Sequence, residues 1–376
     1  MGSFSNIIIG TYSGFSNKNG FYKDVVEMLF TYSDYKEREV NDGDDTYTER
    51  VFESNVCDCL DRLRIFGNTE VKAKSDYENA KTESELFEIE ISYDEYIKFI
   101  NQCIYSGKGQ YELEEIYSGI ERNLIEYDFQ IGQPISSWLY SLLQSLNSDT
   151  LIQYDLSFVI NNGWVRSDFM QDLDFKKIIV LTEGKTDTNY IKGTISLLYP
   201  HLVSKYHFMD YGELSLNGSA SYLVHNVKSF IGSGINNKII ALFDNDTAGL
   251  KELKNLKDFK MPDNIRVLSY PDIPLAYNYP TLGPTGKQNM NVNGLACSIE
   301  MYLGEDVLRN LTGEFVPIQW KGFDASMEAY QGEVLDKRLI QKKFEDKLKA
   351  QNENGMISCY WNEMKVLLEC IMTAWN

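Results

Sequence analysis

At 376 residues, with 43% hydrophobic and 13% aromatic content, the chain is long enough for two or three domains with real cores. Its 55 Asp and Glu against 36 Lys and Arg give a formal net charge of −19, which excludes a protein that coats nucleic acid by bulk electrostatics, because counterion release needs clustered cations. No apolar run approaches the roughly 20 residues that span a bilayer, and the opening residues lack the order of a signal peptide, so the chain reads as cytoplasmic with no membrane partner.

Residues 1–170 are rich in Tyr, Glu, Asp and Ser and read as a mixed, mainly helical domain. Ile7-Ile8-Ile9-Gly10 has the character of a short strand ending in a turn. Phe52, Val56, Leu60, Leu63 and Phe66 share one helical face, and Leu113, Ile116, Tyr117, Ile120, Leu124 and Tyr127 repeat that spacing. The six cysteines (57, 59, 103, 297, 359 and 370) are scattered, as reduced thiols would be. Cys57-Asp58-Cys59 has no second Cys or His pair to complete a zinc site, and Met1-Gly2-Ser3-Phe4-Ser5-Asn6 carries Asn where a myristoylation signal needs Ser or Thr.

From about 175 the pattern becomes strand and helix in alternation. Strands are expected at 177–182, 206–209, 238–243 and 266–268, with helices near 187–198 and 219–231 and from Thr247 onward. Strands separated by helices of this length imply a parallel sheet. The stretch 271–295 holds four of the eight prolines and three of the 26 glycines and reads as a long loop. Beyond 296 the chain reads as helical, with 335–349 and 360–373 as the best segments, so the expected division is 1–170, 175–305 and a mainly helical extension at 306–376.

Two segments carry chemistry. Lys177-Ile178-Ile179-Val180-Leu181-Thr182-Glu183-Gly184-Lys185-Thr186-Asp187 and Lys238-Ile239-Ile240-Ala241-Leu242-Phe243-Asp244-Asn245-Asp246 are apolar runs that stop at acids, which is how buried parallel strands deliver carboxylates to one rim of a sheet. Glu183, Asp187, Asp244 and Asp246 together suit a hard divalent cation such as Mg²⁺ or Mn²⁺. Asp246 also stands where an N-cap would, before the helix at Thr247. Gly184-Lys185-Thr186 is no P-loop, because Ile179 occupies the place of its first glycine. Lys337, Arg338, Lys342, Lys343, Lys347 and Lys349 cluster on one amphipathic segment, either as a solvated helix face or as a phosphate-contacting one. His201, His207 and His225 read as structural, and no Ser-His-Asp or Cys-His arrangement is legible.

An acid after a strand, Gly184 in the turn and Asp-x-Asp after a later strand resemble the topoisomerase-primase (Toprim) pattern over residues 175–305. The resemblance implies an α/β fold with a Toprim-type parallel sheet flanked by helices, Mg²⁺ held by the Asp-x-Asp pair, and Glu183 as acid, base or metal ligand. Asp187 after Glu183 resembles the Glu-Gly-x-x-Asp form of overcoming-lysogenization-defect (OLD) nucleases, and Cys297-Ser298-Ile299-Glu300-Met301-Tyr302-Leu303 is similar to their later Ile-Glu segment. That implies Glu300 as a further metal-binding carboxylate and a downstream lysine near the phosphate, for which Lys342 and Lys343 are the candidates. Met1-Gly2-Ser3-Phe4-Ser5 with Gly10, Tyr12, Phe15, Ser16 and Lys18-Asn19, followed by Arg62-Leu63-Arg64-Ile65-Phe66-Gly67, resembles the HEPN/Toprim-N module of bacterial conflict proteins. The usual HEPN active site needs a histidine after its arginine; with none before His201, the first half is assigned to recognition, assembly or regulation. The expected function is a metal-dependent nuclease in anti-phage defence. It would act on DNA or RNA, alone, as a homo-oligomer or with a defence-system partner. The rival is a non-catalytic Toprim-fold sensor or assembly protein that binds nucleic acid or nucleotide.

Overall fold

The computed structural model describes residues 2–42, 45–83, 90–209, 211, 218–257, 259–354 and 360–376. Met1 of the opening motif and Cys359 lie outside them. The chain divides into two units, Met1–Lys176 and Lys177–Trp375.

The first unit opens with a hairpin of β1 (Phe4–Ile9) and β2 (Tyr12–Lys18). Ile9 pairs with Tyr12, so Gly10 and Thr11 make a two-residue turn, and Gly10 supplies the positive φ (61°) that such hairpin turns demand. Further along, Phe15 and Ser16 together oppose Asn6, a bulge in which Phe15 adopts φ 54° and its N–H donates to Asp128 Oδ1 at 2.9 Å. Asn19, also left-handed, accepts from Ser3 N at 3.0 Å. Tyr12 and Phe15 fill the core beside Phe129 and Trp138. The residues of the opening motif are thus those that shape and anchor this hairpin.

Helix α1 (Lys23–Leu29), strands β3 (Tyr35–Asp42) and β4 (Asp45–Asn55), and helices α2 (Val56–Arg64), α3 (Glu70–Glu83), α4 (Tyr93–Ile104), α5 (Gln110–Ile116), α6 (Gly119–Glu126) and α7 (Ile135–Leu143) follow. Strand β5 (Leu151–Asp155) then returns to the sheet centre, before α8 (Ser157–Asn161). Among the described residues the sheet is five-stranded and antiparallel, in the order β2-β1-β5-β4-β3. The expectation of a mainly helical half understates it. Strands β3 and β4 are laced by cross-strand pairs such as Lys36–Glu53 (2.6 Å) and Arg50–Glu37 (3.1 Å), so charge occupies the positions where an apolar alternation would announce a strand. Phe52 belongs to β4, pairing with Tyr154, and the helix of its apolar stripe begins only at Val56, where the Asn55 side chain accepts the Asp58 N–H at 2.8 Å. The second apolar stripe is two helices, α5 and α6, parted at Tyr117 and Ser118 before left-handed Gly119.

Arg62 holds this unit from within. It is 2% exposed; its Nη1 donates to the Leu29 carbonyl at 2.7 Å and lies 2.9 Å from Asp34.

The second unit alternates as expected: β6 (Ile178–Leu181), α9 (Lys185–Leu198), β7 (Tyr206–Phe208), α10 (Ala220–Gly232), β8 (Ile239–Phe243), the short β9 (Asn245–Asp246), α11 (Thr247–Lys254) and β10 (Ile265–Ser269). Strands β10-β8-β6-β7 form a parallel sheet among the described residues. From β6 the chain moves out to β7 on one side, and from β8 it moves to β10 on the other. The ends of β6 and β8 therefore lie at a topological switch point, where open α/β sheets bind ligands.

The 271–295 stretch, expected as loop, contains β11 (Tyr279–Gly283) and β12 (Gly286–Met290), joined by a tight turn at Pro284-Thr285. Proline there marks the turn and the strand edge rather than an absence of sheet. After β13 (Ala296–Cys297), which pairs with β9, and α12 (Glu305–Leu308), strands β14 (Ile318–Asp324) and β15 (Ala329–Val334) complete the order β12-β11-β14-β15. The extension expected to be mainly helical therefore carries a hairpin ahead of its long helices. Trp320, Phe323 and Tyr330 are residues that favour strands. Helices α13 (Lys337–Asn354) and α14 (Asn362–Met372) end the chain.

Candidate metal centre

Adjacent parallel strands carry the acids. Leu181 of β6 pairs with Ala241 of β8, so the residues just beyond each strand, Glu183 and Asp244, emerge side by side. The Asp244 N–H donates to Glu183 Oε1 at 2.9 Å. Gly249 makes this approach possible, since a Cβ there would stand 2.5 Å from the Asp244 carbonyl and 3.0 Å from Glu183 Oε1.

Asp187, in the first turn of α9, is buried and accepts from Tyr270 Oη at 2.8 Å. Asp246 caps α11, its Oδ1 taking the Gly249 N–H at 2.7 Å, while its Oδ2 takes Gln331 Nε2 at 2.7 Å. Capping and membership of the acidic group are thus one arrangement. Glu300 is fully buried in a short turn of 3₁₀ helix; Oε1 accepts from Gln341 at 2.8 Å, and Oε2 from Ser298 Oγ at 2.6 Å, with Lys337 Nζ 3.1 Å away.

The electrostatics follow from burying like charges together. Burial foremost, then the charges of Asp246 and Asp187, raise the Glu183 carboxyl to about 7 against the opposing Asp244 N–H bond. Burial and the Glu300 charge raise Asp187 to about 6 against the bond from Tyr270. Asp244 is pushed furthest, well above the carboxylate range, by burial and by Asp187, Glu183, Asp246 and Glu300 in that order. Burial pulls Lys337 down, but Glu300, Asp244 and Asp187 outweigh it and carry it above its ordinary value.

Among the described residues one atom in this group is orphaned: Asp244 Oδ1 is buried without a hydrogen-bond partner. A buried acceptor left unsatisfied is open to a water, an ion or a polar ligand. The donors are all carboxylate oxygens, which fit a hard divalent cation. As the side chains stand, no three His, Cys, Asp or Glu among the described residues are gathered closely enough to hold an ion, so binding one requires carboxylates to turn inward from their present partners.

The lysine beside these acids is Lys337, a member of the basic cluster, rather than Lys342 or Lys343. Its pairing with Glu300, 37 residues away in sequence, leaves no local spacing signal. Lys342 is exposed, and Lys343 Nζ donates to the Arg309 carbonyl. Lys347 is held by Asp306 at 2.8 Å and by the carbonyls of Leu303 and Tyr360, so this part of α13 secures its own packing. Gln331 and Gln341 were missed as well. Cys57 is exposed and Cys59 buried, its Sγ donating to the Leu29 carbonyl at 3.4 Å, so the pair does not face one site.

No curated protein and no solved structure matches the chain. Residues 1–177 match the family model described as HEPN/Toprim N-terminal domain 1. The matched region carries the anchored β1–β2 hairpin and the buried Arg62, and it supports the N-terminal module that the opening motif resembles.

Proposed function

We propose that the second unit is a Mg²⁺- or Mn²⁺-dependent phosphodiesterase acting on nucleic acid. The observation that carries this reading is the unpartnered, buried Asp244 Oδ1 among Glu183, Asp187, Asp246 and Glu300 at the switch point of the parallel sheet. Asp244, Asp246, Glu183 and Asp187 would hold the metal, with Glu300 behind them. Bound metal supplies charge neutralisation at the phosphate and acidified water. Glu183, whose Oε1 is fixed by the Asp244 N–H, is oriented to accept a proton at Oε2. Lys337 neutralises Glu300 and presents a cation at the edge of the acidic group, the role for which Lys342 and Lys343 were candidates. The N-terminal match supports placing the activity in anti-phage defence, with residues 1–177 serving recognition or assembly.

Cleavage of plasmid DNA and bulk tRNA with Mg²⁺, Mn²⁺ or EDTA, comparing wild type with Asp244→Asn, tests the reading. Metal-dependent cleavage lost in the variant is the expected result; cleavage unchanged by Asp244→Asn would sink the site. A second reading, a non-catalytic sensor, is favoured by the hydrogen bonds that already occupy Asp246 and the ion pair on Glu300. Divalent-ion binding without turnover would select it.

A further inference from the structure

A concavity of about 480 Å³ lies between α9 and the segment that runs through β7. Its lining includes Lys177, Lys185, Lys192 and His207, with Asn189 and Ser204 between them, and no carboxylate among the described residues. All three lysines are exposed. In a chain of net charge −19, three lysines lining one groove concentrate positive charge locally.

The placement is directional. Lys185, Asn189 and Lys192 fall at i, i+4 and i+7 of α9 and so form one stripe. Lys185 and Lys192 are separated along the helix by about 10 Å. A B-form strand advances about 3.4 Å per phosphate, so this span matches roughly three phosphates. Lys177 precedes β6 and Glu183 follows it, so the groove runs beside the strand that delivers the first acid of the site. Its inner wall touches that acid's neighbour: Thr188 and Thr182 share a hydroxyl hydrogen bond of 2.8 Å, and Tyr211 Oη donates to the Thr182 carbonyl.

We infer that this groove carries the sugar-phosphate backbone of a nucleic-acid strand on one side of the bond being cut, with Lys185 and Lys192 as its principal phosphate contacts. The inference deepens the nuclease reading and rests on it. Polar Asn189, Ser204 and His207 supply further donors for phosphate oxygens.

The test is equilibrium binding by the full chain in EDTA, so that binding is read without cleavage. The probes are a fluorescent 20-nucleotide single strand and the corresponding 20-base-pair duplex, titrated across a range of salt. Lys185→Gln with Lys192→Gln is expected to lower the slope of log K against log salt by about 1.4 on the single strand or about 1.8 on the duplex, while exposed Lys365→Gln leaves it unchanged. Lys185→Arg with Lys192→Arg is expected to restore the slope, which a folding defect in the glutamine variant would not explain. A wild-type slope in the glutamine variant overturns the groove assignment. If that happens while wild type still cleaves and Asp244→Asn does not, the nuclease reading survives alone. Wild type that neither binds nor cleaves either polymer overturns both.

Discussion

Asp244 and Glu183 are joined backbone to side chain, the N–H of one donating to the carboxylate of the other at 2.9 Å, across strands whose ends lie more than sixty positions apart in the chain. The bond orders Glu183 and leaves Asp244's own carboxyl buried, with Oδ1 unsatisfied. The surrounding protein groups therefore leave the Asp244 carboxyl without compensation for its burial.

Stability should record that burden. The folded-state values of Glu183 (about 7) and Asp187 (about 6) lie above their ordinary ones, and Asp244 is raised as well. A carboxyl raised on folding makes the native state bind more protons than the unfolded one, so stability falls as pH rises from about 4 through about 7. In EDTA, Asp244→Asn should melt a few degrees above wild type at pH 8 and no higher than wild type at pH 4. Mg²⁺ should raise the wild-type Tm at pH 8 and leave that of the variant in place. A Tm difference independent of pH would contradict the assignment.

Gly249→Ala adds one methyl group where the Asp244 carbonyl and Glu183 stand. Overpacking of this kind costs about 1–3 kcal/mol. The expected outcome in urea unfolding is that loss, together with at least tenfold slower cleavage, because the β8 end and α11 must separate and Asp246 loses its cap geometry.

Lys337→Gln removes the cation beside fully buried Glu300. Because the lysine side chain is 44% exposed, the stability loss should stay near 1–2 kcal/mol, below that of a fully buried pair. Cleavage should fall by more than tenfold. Lys342→Gln and Lys343→Gln are the comparison, and a loss of cleavage confined to those two would return the role to them.

Arg62→Met leaves Asp34 and the Leu29 carbonyl without their buried donor. Loss of about 3 kcal/mol is expected in urea unfolding. If Arg62 instead served an RNase centre, the variant would keep its stability and lose an activity that survives Asp244→Asn.

The strand-end acids were legible because parallel strands buried on both faces spell themselves as continuous apolar runs, and Glu183, Asp244 and Asp246 sit where those runs stop. Strand β1 and the turn after it were legible through Ile7-Ile8-Ile9-Gly10, where glycine readily takes the positive φ, but β2 was not. Strands β3 and β4 were not, because their stabilising partners are charges across the ladder rather than an apolar face. Lys337, Gln331 and Gln341 were invisible for a related reason: each meets its acid from a distant segment, and amphipathic spacing on α13 advertises a helix without saying which lysine turns inward.

Gln331 lies on β15, donating to Asp246 Oδ2 while its Oε1 receives the Ala248 N–H at 2.9 Å. With Lys337 and Gln341 it brings to the acids three partners from beyond residue 305, where the Toprim-like pattern ends. A fragment cut at that boundary would keep every carboxylate and lose the amides and the ammonium that restrain two of them. The smallest piece of this protein worth purifying for catalysis therefore runs on through α13, and an inactive 175–305 fragment would say nothing about the acids themselves.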